Sequence, residues 1–203
     1  KKDSQGLCFI GKVSLPDFLQ QKLQPKSGKI IEIDQDFEGY QNQQIDFSSQ
    51  QERLEYHTTK MNYSANDGTV VGQHQGAHFF TKGQRKGLGV GGTPEPLFVI
   101  DTDVKENIIF TGQGKSHPGL LRRGLIVVPD EIHWIREDLE IAVGDSLKVD
   151  ARIRYRQPLE SATLYNESDG LYVLFDKPQT AISKGQFVAW YIEDELLGSG
   201  VIS

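Results

Sequence analysis

Leu147-Lys148-Val149-Asp150-Ala151-Arg152-Ile153-Arg154-Tyr155-Arg156 is the plainest structural statement in the chain. Every odd position is apolar or aromatic, and the even positions are Lys, Asp, Arg, Arg and Arg. A period of two belongs to a strand with one face in a core and the other in water. The stretch therefore predicts a half-buried strand with a mostly basic outer face. Its surroundings agree. Residues 162–165 and 171–175 flank a polar turn and predict one hairpin, and 187–192 and 196–202 predict another. Short strands at this spacing, with no helices between them, predict a closed antiparallel β-barrel.

Working back toward the start, residues 97–102 and 108–112 flank a turn at 104–107, and 125–128 is a further strand. Asp67-Gly68 is a turn signal, followed by expected strands over 69–72 and 77–81. Ile30, Ile31 and Ile33 mark a strand at 28–34. Between 35 and 66 the periodicity dissolves into Gln, Asn, Ser and Asp, which predicts an excursion or poorly ordered insertion. The one convincing helix begins at Ser14 as N-cap with Pro16 in its first turn. Leu15, Phe18, Leu19 and Leu23 follow at helical spacing, and Pro25 ends it. The fold class is thus mainly β, with one short helix near the start. A small central β-rich domain over 25–95, with an insertion at about 35–66, precedes a carboxy-terminal antiparallel β-barrel over 96–203.

Composition narrows the function classes. The chain has 203 residues, a net charge of −6 and 37% hydrophobic residues, which is ordinary for a folded chain. Its apolar runs fall far short of the ~20 residues a bilayer span needs, and no signal peptide opens it. One cysteine forbids an internal disulfide and a cysteine-based zinc cage. These features point to a cytoplasmic protein without a membrane partner. The only methionine is Met61, so Lys1 is not a translation start, and the expectation is the carboxy-terminal part of a longer protein. Net acidity argues against a general nucleic-acid glue. Yet residues 1–30 carry a net of +4 and 31–70 a net of −6, so local basic patches suited to RNA sit on an acidic body.

Three segments could carry chemistry. Cys8 lies between Gly6 and Gly11 with Lys1, Lys2 and Lys12 nearby. Cations lower a thiol pKa and favour the thiolate, although free cysteine is also among the most buried residue types. Gly83-Gln84-Arg85-Lys86-Gly87-Leu88-Gly89-Val90-Gly91-Gly92 could cradle a phosphate through backbone N–H groups. It is not a P-loop, and a turn between strands would read the same way. Arg154-Tyr155-Arg156-Gln157 offers phosphate contacts, a stacking ring and an amide, and a solvated strand face has the same composition. The histidines show no metal-ligand spacing and no Gly-x-Ser-x-Gly elbow occurs.

These segments occur together, in this order, in one family. Lys2-Asp3-Ser4-x-Gly6-x-Cys8-Phe9-Ile10-Gly11, Gly83 to Gly89, Arg154-Tyr155-Arg156-Gln157 and Gly185-Gln186 resemble the bacterial tRNA-specific 2-thiouridylases, the MnmA family. Glu95-Pro96, Gly112-Gln113-Gly114, His117-Pro118 and Leu197-Gly198-x-Gly200 are similar to it too. The likeness spans nearly the whole chain outside 35–66. It implies an enzyme that replaces the C2 oxygen of the wobble uridine of tRNA with sulfur. In the family an amino-terminal domain binds ATP, with Mg, through a Ser-Gly-Gly-x-Asp-Ser loop. That loop is absent here, so residues 1–24 would be the tail of a catalytic domain, no cofactor is expected in this chain, and the chain alone is expected to be inactive.

Residue by residue, the resemblance assigns Cys8 the persulfide that carries the transferred sulfur. Arg154, Tyr155 and Gln186 match family tRNA contacts. The implied partners are wobble-uridine tRNAs and a persulfide sulfur-donor protein, with neither DNA nor a membrane involved. The insertion departs from the family pattern and is expected to decorate the central domain. Two alternatives are a non-catalytic RNA-binding β-barrel with a structural cysteine, and a protein-interaction barrel without RNA.

Overall fold

A computed structural model describes residues 25–40 and 45–203. Cys8 and the helix expected at 14–24 lie outside the described residues. The described chain is mostly strand and forms two compact units, residues 25–37 with Tyr63–Lys115, and Glu38–Asn62 with Ser116–Ser203.

The first unit is built on a four-stranded sheet. Its strands are β1 (Gly28–Glu32), β2 (Thr69–His74), β3 (Leu97–Asp103) and β4 (Ile108–Gln113), in the order β2-β1-β4-β3. Strands β1 and β4 run parallel and the other pairs antiparallel. Ile30, Leu88, Leu97, Val99 and Ile109 share one core. Asn107, at φ 55, closes the β3–β4 turn. Its Oδ1 accepts from the Ala77 N–H at 2.9 Å, and its Nδ2 donates to the carbonyls of Lys26 and Ser27 at 3.0 Å each. Every polar group of that buried amide is thereby used.

Two sequence expectations differ from this unit. The 97–113 hairpin pairs through β4 with β1 and buries Val99 and Ile109 beside Ile30. It therefore belongs to the first unit, and not to a barrel beginning at 96. Residues 77–81 are not a strand. Gly76 adopts φ 142, and Ala77–Phe79 form a 3-10 turn in which the Phe80 N–H donates to the Ala77 carbonyl at 3.1 Å.

The second unit is a curled, wholly antiparallel sheet. Its strands are β5 (Leu121–Val127), β6 (Ile132–Trp134), β7 (Ser146–Arg152), β8 (Glu160–Glu167), β9 (Gly170–Thr180), β10 (Phe187–Ile192) and β11 (Glu195–Val201). The order is β5-β9-β8-β7-β10-β11-β6, and both predicted hairpins are present. The edge strands β5 and β6 are consecutive, joined by the 3-10 turn Pro129–Glu131, so the sheet curls until its edges approach. The Ser203 N–H donates to the Ile126 carbonyl at 3.0 Å near that seam. Trp190 fills the interior, fully buried and edge-on to Trp134 with ring centroids 5.3 Å apart. A Cβ on Gly198 would lie 2.7 Å from the Trp190 ring, so glycine permits that approach.

The polar stretch 35–66 holds the one α-helix among the described residues, α1 (Gln50–Thr58). The Ser49 hydroxyl accepts from the Glu52 N–H at 3.1 Å, and the Glu52 carboxylate accepts from the Ser48 N–H at 2.7 Å. This reciprocal capping starts the helix. Leu54 is fully buried with Tyr172 and Leu174, and Arg53 donates to the Tyr165 hydroxyl at 2.8 Å. The helical part of the segment thus folds onto the barrel, whereas its ends stay with the central sheet. There Tyr63 packs against Phe110 with ring centroids 5.4 Å apart, and Gln35 donates to the Gln113 carbonyl at 3.2 Å. The helix escaped sequence reading because Leu54 is the single buried residue of α1, and one residue makes no period.

Candidate nucleic-acid interface

Strand β7 ends at Arg152, earlier than its alternation suggests. Ile153 is still buried, but the chain then turns back: the Gln157 N–H donates to the Arg154 carbonyl at 3.0 Å, and Gln157 Oε1 accepts from the Ile153 N–H at 3.3 Å. Side chains brace this turn from both directions. Arg152 donates to the Tyr191 hydroxyl at 2.9 Å, lies over that ring at 4.8 Å, and reaches the Tyr155 carbonyl at 3.4 Å. Gln157 Nε2 donates to Gln179 Oε1 at 2.6 Å. The outcome is a fixed turn that leaves Tyr155 86% exposed between two arginines.

Arg154 ties this turn to the next element. Its guanidinium donates to the carbonyls of Thr180 at 3.0 Å and Ala181 at 2.8 Å, where the loop between β9 and β10 begins. Partial burial there pushes its pKa down from the ordinary guanidinium value, and the group stays a cation at any physiological pH. Ala181 has φ 56, a left-handed conformation costly for a residue with a Cβ. The Arg154 bond, and the bond from the Ala181 N–H to the Leu120 carbonyl at 2.7 Å, hold it there.

Gln186 sits at the end of the same loop. Its N–H donates to the Ser183 carbonyl at 3.3 Å, and its carbonyl accepts from Ile202 at 2.8 Å. Its Oε1 is buried without a hydrogen-bond partner, an acceptor that costs free energy until it is satisfied. The structure therefore brings Arg154 and Tyr155 to the loop that carries Gln186. No acid occurs in 152–157 or in 180–188.

The glycine-rich segment of the first unit has a different construction. Gly83, Gly87, Gly89 and Gly92 all have left-handed φ values, from 68 to 90. Leu88 is buried in the core beneath, and a shallow cleft of about 350 Å³ is lined by Arg85 and residues 87–97. The glycine-rich segment does not complete a nucleotide site of the implied kind. The Ser-Gly-Gly-x-Asp-Ser loop is missing from the sequence, and no helix follows the glycine-rich segment to complete a phosphate site. Among the described residues no cluster of three His, Cys, Asp or Glu could hold a metal ion. No described helix is long and apolar enough to cross a membrane.

Sequence reasoning missed Arg152, Gln157 and Gln179 as the braces of the turn. The Arg152–Tyr191 pair joins residues 39 apart, and only the β7–β10 register, with Arg152 opposite Ala189, places them together.

Relatives identify what carries this arrangement. Residues 54–113 match a tRNA methyl transferase PRC-barrel domain and residues 123–202 an Aminomethyltransferase beta-barrel domain. Over its whole length the chain is 63% identical to the tRNA-specific 2-thiouridylase MnmA of Christiangramia forsetii. The chain belongs to the MnmA family. It is also 59% identical to the MnmA of Flavobacterium johnsoniae and 46% identical to that of Karelsulcia muelleri, again over its full length. It covers 51%, 51% and 50% of these three proteins, so it spans about half the length of the curated MnmA relatives it matches. The first barrel match begins at Leu54 and takes in part of the segment read from sequence as an insertion.

Proposed function

We propose that this chain is the sulfur-carrying and tRNA-gripping part of an enzyme that puts sulfur at C2 of the wobble uridine of tRNA. The observation that carries the reading is the 63% full-length identity to a protein named as a tRNA-specific 2-thiouridylase. Cys8 is the sulfur carrier in this reading. A persulfide on its Sγ is a strong nucleophile at neutral pH, so its terminal sulfur attacks the uracil C2 carbon and the activated oxygen leaves with AMP. A second thiol, from the half of the relatives' length that this chain does not cover, then attacks Sγ. The S–S bond breaks, so that the sulfur stays at C2 and Sγ ends in a disulfide. ATP-dependent activation of the uracil oxygen belongs to the half of the relatives' length that this chain does not cover.

The barrel supplies the grip. Arg154 provides a cation for phosphate, Tyr155 a ring for a nucleobase, and Gln186 an amide. The preformed turn favours this use, because side chains already ordered lose little entropy on binding. The target base must leave its stack to reach a thiol, and a grip elsewhere on the tRNA can supply the binding free energy for that.

The test is thiolation of unmodified tRNA by the full-length protein with ATP and a persulfide donor, wild type beside Cys8→Ser. Wild type is expected to form 2-thiouridine and the variant none. Undiminished product with Cys8→Ser would remove Cys8 from the mechanism. Retained tRNA binding with no product from either would favour a binding module.

A further inference from the structure

The outer face of the barrel beside the Arg154 turn carries a second ring. Along β10, Val188 and Trp190 point inward and are fully buried, whereas Phe187 is 63% exposed. Arg152 lies opposite Ala189 in the β7–β10 ladder. Two more residues along that register bring Phe187 level with Arg154, just past the point where the ladder ends. Leu121, also exposed, pairs with Thr180, the residue whose carbonyl accepts from Arg154. Tyr155, Phe187 and Leu121 thus form an apolar rim around the 180–187 loop.

The charge around that rim has one sign. Arg154, Arg156 and Lys184 are exposed on the same two segments, which carry no acid. An exposed aromatic ring among cations, on rigid strands, suits an unpaired nucleotide, whose base stacks while its phosphate meets the cations. Such a rim is a poor match for a duplex edge, because a stacking ring needs a base face already free.

We propose that Phe187 is a second stacking ring, which takes an unpaired nucleobase of the bound tRNA beside Tyr155. The proposal rests on the tRNA-binding reading of the Arg154 turn. It adds a nucleobase contact that is neutral, and therefore independent of salt.

Fluorescence anisotropy of a labelled, unmodified wobble-uridine tRNA transcript with the full-length protein, over a series of salt concentrations, tests it. Phe187→Ala is expected to weaken binding about tenfold, the loss of one base stack, with the salt slope unchanged. Phe187→Leu should be as weak, because it keeps apolar surface but no ring, and Phe187→Trp should restore wild-type affinity. Arg154→Ala should weaken binding and reduce the salt slope by about one. If Arg154→Ala weakens binding while Phe187→Ala binds like wild type, Phe187 is not a contact and only this inference fails. If wild type itself shows no salt-dependent tRNA affinity, the underlying tRNA-binding reading fails with it.

Discussion

The turn at 153–157 and the glycine-rich segment at 83–92 each present two cations, yet they are built in opposite ways. The first uses no glycine. Its path is fixed by Arg152, Arg154 and Gln157, whose side chains bond to main chain and to neighbouring strands. The second owes its path to four glycines with left-handed φ, and at Gly89, Gly91 and Gly92 a Cβ would meet nothing within 4 Å. A turn braced by side chains can hold a large ring in water in one orientation. A glycine turn offers backbone N–H groups and open space. Equal charge in the sequence therefore conceals different chemistry, one suited to stacking a base and the other to approach by a backbone or a phosphate.

Removing the support beneath the first turn should produce the largest effect. Trp190 shares the barrel core with Ile153 and Val188, which flank the turn and the loop it meets. Trp190→Ala is expected to cost about 3–5 kcal/mol of stability, read as a lower denaturant midpoint at unchanged slope. An unchanged midpoint would mean that the turn does not depend on the barrel core.

The glycine turn should respond through backbone strain alone. Gly89 has φ 68 with open space around it, so Gly89→Ala should cost about 1 kcal/mol, with no clash to relieve. A loss several times larger would show that the segment is packed against something that the cleft at 85–97 does not reveal.

A control outside both segments comes from Tyr172, under α1. Burial, together with its hydrogen bond to Asp169 at 2.7 Å, raises its phenol to about 12. The folded state therefore holds that proton more tightly than the unfolded chain, whose phenol titrates near 10. Its contribution to stability is complete below pH 10 and is lost as pH rises toward 12. Urea unfolding at pH 9 and 11.5 should show that loss, and Tyr172→Phe should reduce it without altering tRNA affinity.

What could be read in the sequence was whatever local alternation fixes. The odd-position pattern from Leu147 onward yields β7, and two apolar runs around a polar turn yield each barrel hairpin. What escaped depends on partners distant in sequence. The β3–β4 hairpin belongs to the first unit because Ile109 pairs with Ile30, 79 positions earlier, and no local pattern announces that. Helix α1 stayed hidden behind a single buried leucine. For the candidate site, residue chemistry offers Arg154 and Tyr155 as candidates and family resemblance adds Gln186, whereas their shared loop emerges only from the bonds of Arg154 to Thr180 and Ala181. Arg152 looked like one more solvated cation until its register placed it over Tyr191.

Substitution of Tyr155 tests the proposed grip on tRNA apart from the proposed sulfur transfer. The decisive measurement is steady-state thiolation by full-length wild-type protein and Tyr155→Ala over a range of tRNA concentrations. Loss of one stack should raise KM for tRNA about tenfold and leave kcat within about twofold. An unchanged KM would contradict the account, because the most exposed ring of the braced turn would then make no contact with the substrate.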